Sequence, residues 1–227
     1  MTRPASLEER GYAITPGVLK SEEIEALLRC LAGLESHHNR AGIRHLLRQP
    51  SVAQLATDLR LLGIAQSVLG LDAFPFRATL FDKSPDANWL ITWHQDTALP
   101  LCARHEIAGW GPWSVKEGVT YAHAPASALE KVVALRLHLD NSTSENGPLR
   151  VLPGTHRSGV LSDQEVETTV GKVKPISCLV AKGGVIVMHP LIIHASSKSV
   201  STIPRRVLHV EYATRAAVPK PLQLAMA

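Results

Sequence analysis

Between residues 74 and 214 the sequence alternates apolar and polar side chains with a period of two. The alternation comes in short runs: FRATLFDK, LITWHQD, VVALRLHLD, LRVLPGT, GVIVMHPLIIHAS and RVLHVEYAT. Successive side chains of an extended chain point to opposite faces, so each run reads as a strand with one face buried. Turn-forming segments separate many of them: SPDAN, NSTSENGP, KGG and the step at Pro204. Many short strands without intervening helices leave few choices, an antiparallel sandwich or a closed barrel.

The first third has the other period. SEEIEALLRCLAGL places Ile24, Leu27, Leu28, Leu31 and Leu34 at helical spacing, with Ser21 as the expected N-cap. A second helix is expected over residues 51–69, opened by the Ser51–Gln54 capping box after Pro50 and stopped by Gly70. The expected organisation is one domain over residues 1–227. It comprises a helical flank (1–70), a β core (71–215) and an extended tail (216–227). Within the core, residues 97–131 read as a long lid or substrate loop, because periodicity is weak there. Trp110, Trp113 and Tyr121 in that interval could cover a substrate or anchor packing, and His105 and His123 read as loop histidines.

Composition excludes several function classes. A net charge of +4 with no basic run argues against nucleic acid as a partner. Cys30, Cys102 and Cys178 are scattered and odd in number, which fits reduced thiols in a cytoplasmic protein. No signal peptide is expected at the start, and no apolar run is long enough to span a bilayer. The oligomeric state is not encoded in any of these features.

The chemistry concentrates in WHQD. His94 and Asp96 are two apart on a strand and share a face, so one imidazole and one carboxylate can take adjacent sites on a metal. A third ligand from elsewhere would complete the 2-His-1-carboxylate face used by non-haem Fe(II) oxygenases. The chain has a second His-x-Asp, His138 and Asp140, but it ends a strand just before a turn, where Asp commonly caps a bend. The third ligand is sought in HPLIIHASSKSVSTIPRR, where His189 and His194 compete. His194 has Ser196 on its own face and Arg205 eleven residues on. A 2-oxo acid chelating iron through one end would bury its far carboxylate, and an arginine fork plus a hydroxyl is the partner such a carboxylate needs. Arg205 and Arg206 alternate faces, and both are candidates. Arg136 precedes His138 on the same face and could look into the barrel near the cosubstrate.

These segments, with GYAITPGVLKSEEIEAL, ENGPLRVLPGTHR and PRRVLHVEY, resemble the phytanoyl-CoA dioxygenase family of Fe(II)/2-oxoglutarate oxygenases over most of the chain. The resemblance implies a double-stranded β-helix, a cupin-like jelly-roll barrel, with N-terminal helices. It implies His94, Asp96 and His194 as metal ligands, Arg205 and Ser196 on the distal 2-oxoglutarate carboxylate, and Lys83 as a further cosubstrate contact. With O2, the implied activity is hydroxylation of a C–H bond in a small organic substrate, releasing succinate and CO2. Asp96 stands where related halogenating enzymes have a small residue, which favours hydroxylation. The rival readings are a cupin-like metal-dependent isomerase or hydrolase that uses no oxo acid, and a non-catalytic jelly-roll binding module.

Overall fold

The structure is a computed structural model that describes residues 5–33, 42–84 and 87–227. Leu34 of the first helical pattern, and Pro85 and Asp86 of the SPDAN turn, lie outside them. Helices are α1 (Ala5–Arg10), α2 (Ser21–Leu31), α3 (Pro50–Ala56), α4 (Leu59–Leu69), α5 (Ala126–Leu129) and α6 (Asp163–Val170). Strands β1 (Tyr12–Thr15), β2 (Phe74–Lys83), β7 (Val132–His138), β10 (Val185–Met188) and β12 (Arg205–Ala213) form a large sheet in the order β1-β10-β7-β12-β2. Strands β3 (Ile91–His94), β8 (Leu149–Val151), β9 (Ile176–Cys178) and β11 (His194–Ser196) form a smaller one, β3-β11-β8-β9. Strands β4 (Ala98–Leu101), β5 (Trp113–Lys116) and β6 (Val119–His123) make a third, β4-β6-β5. All pairings within the sheets are antiparallel.

Alternation decides which face does what. On the large sheet, Ala78, Leu80, Leu135, Leu137, Val187, Leu208 and Val210 point outward and bury against Ile24, Leu27, Val52 and Leu61 of the helices. The opposite face turns inward, where Ala134, Ile186 and Met188 meet Leu149, Val151 and Cys178 of the smaller sheet. Two facing antiparallel sheets around one interior fit the sandwich or barrel expected from the strand pattern, and are the double-stranded β-helix that the family resemblance implies. Each fully buried aliphatic side chain contributes about 1.5–3 kcal/mol of transfer free energy, so the helical layer is a major stabiliser of the sheet it covers.

Several local expectations change. The helix expected over 51–69 is two helices, α3 and α4. Asp58 breaks the run: its backbone is non-helical and its carboxylate caps the Arg60 N–H at 2.9 Å. At α2 the cap position falls to Lys20, whose backbone N–H donates to Glu23 (2.9 Å), and Ser21 is already helical. The flank is not wholly helical either, since Tyr12–Thr15 pairs with β10 and edges the large sheet. Residues 97–131 are no irregular loop. They fold into β4, β5, β6 and α5 with their own apolar cluster of Leu99, Leu101, Trp110, Ala122 and Leu129. The tail is an extended cover: Leu222 and Ala227 are buried, the Cys102 N–H donates to Gln223 O, and the Ala78 N–H donates to Ala227 O. Among the described residues, no helix is long and apolar enough to cross a membrane.

Candidate active site

His94 ends β3 and His194 opens β11, and the two lie opposite each other in the antiparallel register. Asp96 lies just past β3, its N–H anchored on Pro190 O at 2.9 Å. Gln95, on the other face, bonds Gly159 O, Leu191 O and the Leu161 N–H, which pins the segment and aims its neighbours inward. His94 Nε2 is 3.7 Å from Asp96 Oδ1, and His194 Nε2 is 3.5 Å from Asp96 Oδ2. One ligand atom from each of the three residues lies within 4.8 Å of the others. His94 Nδ1 bonds Thr92 O (2.8 Å) and His194 Nδ1 bonds Ile192 O (2.9 Å). A carbonyl only accepts, so each Nδ1 carries the proton and each Nε2 lone pair faces the shared point. The residues fit a divalent metal.

Electrostatics favour the ligating forms of His194 and Asp96. Burial pushes the His194 imidazolium down to about 4, so this ring is neutral and ready to ligate at ordinary pH. Burial also opposes the Asp96 carboxylate, but the His194 and His94 rings outweigh it and hold its pKa well below the usual range. For His94, burial is overcome by the hydrogen bond and charge of Asp96, and its pKa rises.

Beside the triad is a cavity of about 220 Å³. Ser196, two residues from His194 on β11, lines it. Its hydroxyl donates to Gly147 O (2.8 Å), receives Lys83 Nζ (2.8 Å) and lies 3.4 Å from Arg205 Nη2. Arg205 faces Lys83 across the β12–β2 pair. Only 3% exposed, it bonds Asn146 O through Nε, and its Nη1 has no partner. Burial and the Arg136 charge push Arg205 down to about 10, and burial with both guanidinium charges pushes Lys83 to about 7. Among the described residues no carboxylate pairs with either, so the cluster is built to receive an anion.

The rivals fall elsewhere. Arg206 points to the other face and grips Asp140 with two hydrogen bonds (2.8 and 2.9 Å). Asp140 is thus an ion-pair partner, and His138 is fully buried with neither ring nitrogen hydrogen-bonded. His189 follows the end of β10 in a turn, outside the cavity, and stacks on His156 with centroids 5.0 Å apart. The run read as one strand, GVIVMHPLIIHAS, is therefore β10, a turn and β11. Arg136 lines the cavity, and its Nη1 bonds His209 Nδ1 (3.1 Å) rather than the Ser196 cluster. Of the aromatics in 97–131, Trp110 is a packing anchor, while Tyr121 stands 5.8 Å from the Arg77 guanidinium.

Sequence reading missed Arg77, Phe81, His209 and Glu211, which also line the cavity. The signal was present: Arg205, His209 and Glu211 share one face of β12, and Arg77, Phe81 and Lys83 share one face of β2. Polar residues on the inward face of a core strand mark a site. Trp89 and Arg44, which line the cavity from irregular segments, had no such periodicity to reveal them.

Comparison with known proteins places this architecture. The profile of the family described as Phytanoyl-CoA dioxygenase (PhyH) matches residues 7–207. An ectoine dioxygenase of Halomonas elongata is 25% identical over 168 residues, covering 67% of this chain and 44% of its own length. An L-proline trans-4-hydroxylase of Streptomyces griseoviridis is 27% identical over 188 residues, covering 70% and 62% respectively. The chain therefore spans about half the length of the curated relatives it matches. Among solved structures, EctD from S. alaskensis superposes with a TM-score of 0.72 at 18% identity, over 96% of this chain and 78% of that one. HygX from Streptomyces hygroscopicus, solved with nickel and 2-oxoglutarate bound, superposes with a TM-score of 0.64 at 18% identity, over 92% and 84%.

Proposed function

This chain belongs to the phytanoyl-CoA dioxygenase family, and from that premise we propose that it is an Fe(II)- and 2-oxoglutarate-dependent dioxygenase that hydroxylates a C–H bond of a small organic substrate. The overall conversion consumes the substrate, O2 and 2-oxoglutarate, and yields the hydroxylated product, succinate and CO2. The observation that carries the reading is the pairing, in one cavity, of the His94–Asp96–His194 convergence with a buried cationic cluster on Ser196. A metal-dependent isomerase or hydrolase would have use for the first and none for the second.

The three side chains would hold iron and leave three positions open. Bound iron, with the oxo acid and dioxygen, supplies the oxidising power. Arg205 would take the distal carboxylate in a two-point contact, its unpartnered Nη1 gaining an acceptor. Lys83 and Ser196 would complete that contact, held in place by Gly147 O and Ser197 O. Phe81, Trp89, Ile91 and Leu149 supply the apolar wall that keeps water from the reacting carbon.

The test is Fe(II)-dependent formation of succinate from 2-oxoglutarate, which turns over slowly even without the second substrate. Wild type is expected to form it, and Asp96→Ala is expected to lose at least about 100-fold of the rate, since two ligands hold a catalytic metal poorly. Iron that binds without supporting any 2-oxoglutarate turnover would point to the isomerase or hydrolase reading. A chain that takes up no iron would point to the binding module.

A further inference from the structure

The described residues lining the cavity include five cations, Arg44, Arg77, Lys83, Arg136 and Arg205, against two acids, Asp96 and Glu211. Glu211 is fully used by Arg77, which grips it with two hydrogen bonds, and Arg44 is paired with Glu117 at 2.8 Å. The Fe(II)/2-oxoglutarate reading, on which this inference rests, accounts for most of the remainder. A divalent metal, the Asp96 carboxylate, a dianionic cosubstrate and Arg205 together carry no net charge. Lys83 and Arg136 are left over; Lys83 is bonded to Ser196 and Ser197 O in the cosubstrate cluster, whereas Arg136 is bonded to His209.

The position of Arg136 makes this costly. Arg136 is 7% exposed, and its Nε has no hydrogen-bond partner. Its one bonded neighbour is His209 Nδ1 (3.1 Å). A guanidinium only donates, so Nδ1 accepts and the ring proton sits on Nε2, 3.6 Å from Glu211. That neighbour supplies no negative charge. The Phe81 ring, 5.1 Å from the Arg136 guanidinium carbon, offers a cation–π contact but no negative charge. A buried guanidinium with no carboxylate hydrogen-bonded to it is retained where a ligand completes it. The distal end of the cosubstrate is assigned to Arg205, Lys83 and Ser196, and Arg136 makes no hydrogen bond to that cluster. Arg136 pairs in register with His209, four residues along β12 from Arg205, or about 13 Å of strand. The metal-bound end of the cosubstrate is already neutralised by the metal.

We propose that Arg136 binds a carboxylate of the primary substrate, so that the enzyme's substrates are small organic acids. The cavity limits their size. At about 220 Å³ it is below the range of about 300–1,000 Å³ common for ligand sites, and it must also hold the cosubstrate. A long thioester would lie mostly outside it.

The test uses the full chain with Fe(II) and 2-oxoglutarate. The probes are L-amino acids, 2-hydroxy acids and dicarboxylic acids of up to about six carbons, each paired with its primary amide. Two quantities are read: stimulation of 2-oxoglutarate consumption in air, and the Kd measured anaerobically by calorimetry. At least one acid is expected to bind and stimulate, with its amide at least about tenfold weaker. Arg136→Gln is expected to weaken that acid by about 10–100-fold, while the Kd for 2-oxoglutarate moves by less than about threefold. Arg136→Lys, which keeps the charge, is expected to recover part of the loss. The acid–amide comparison needs no variant, so it stands even if Arg136→Gln does not fold. Amides binding as well as acids would overturn the proposal, as would a protein that binds 2-oxoglutarate and none of the acids. An Arg136→Gln variant as defective in 2-oxoglutarate binding as Arg205→Gln would assign the guanidinium to the cosubstrate instead. Failure to bind 2-oxoglutarate at all would remove the reading beneath it.

Discussion

Adjacent arginines at the start of β12 have opposite fates: Arg205 turns into the cavity and Arg206 out to Asp140. Arg205→Gln is expected to raise the KM for 2-oxoglutarate by about 10–100-fold, the worth of a charged two-point contact. Arg206→Gln is expected to leave that KM within about twofold and lower thermal stability by about 1 kcal/mol, since its ion pair is partly exposed. Lys83 adds a pH signature. Its pKa of about 7 means that its charge is present below pH 7 and lost above it. Affinity for 2-oxoglutarate is therefore expected to weaken from pH 6 to 8, by at most about tenfold per unit, and to flatten in Lys83→Met. Calorimetry at several pH values checks both. The convergence of His94, Asp96 and His194 and the contact of Arg205 with Ser196 were legible in the sequence because alternation and chemical need agree there. Arg44 and Trp89 were not, because a site assembled from irregular segments leaves no period to read.

At the scale of elements, the turn before β8 holds the anion cluster together. Gly147 has a φ of +66°, and its carbonyl receives the Ser196 hydroxyl. A Cβ there would collide with Ser197 O and crowd the Lys83 stem. Gly147→Ala is expected to cost about 1–3 kcal/mol of stability and to weaken 2-oxoglutarate binding, read by thermal unfolding and calorimetry. The strands of the β core were legible from their period. Residues 97–131 were not, because β4 contains Pro100 and β5 is largely exposed, so neither strand alternates cleanly. The split between α3 and α4 was hidden for a different reason. Apolar spacing continues across Thr57–Asp58, and only the capping preference of Asp58 opposes it.

Across the whole molecule, helices cover one face of the large sheet with hydrocarbon and the other face carries charge. The inner face brings an acid liability. Burial, with Arg136 and Arg205 nearby, depresses His138 from 6.5 to about 3. The unfolded chain takes up a proton below about pH 6.5 that the native state refuses, so stability falls as pH falls through that window. At pH 5 the loss from His138 is about 2 kcal/mol. His138→Leu removes the titration without stranding a hydrogen bond, and it is expected to flatten the dependence of Tm between pH 7 and 5.

The large sheet also has two flanks to protect. On one side β1 covers β10. On the other, Ile43 and Ala227 exchange backbone hydrogen bonds with Leu80, and with Ala78 and Phe76, on β2. Neither seal belongs to the repeating strand pattern, yet each quenches amides that would otherwise template a neighbour. A version shortened by the first 17 residues would lay bare the Val185–Met188 backbone, and light scattering should show it clumping with itself while the convergence of His94, Asp96 and His194 stays whole.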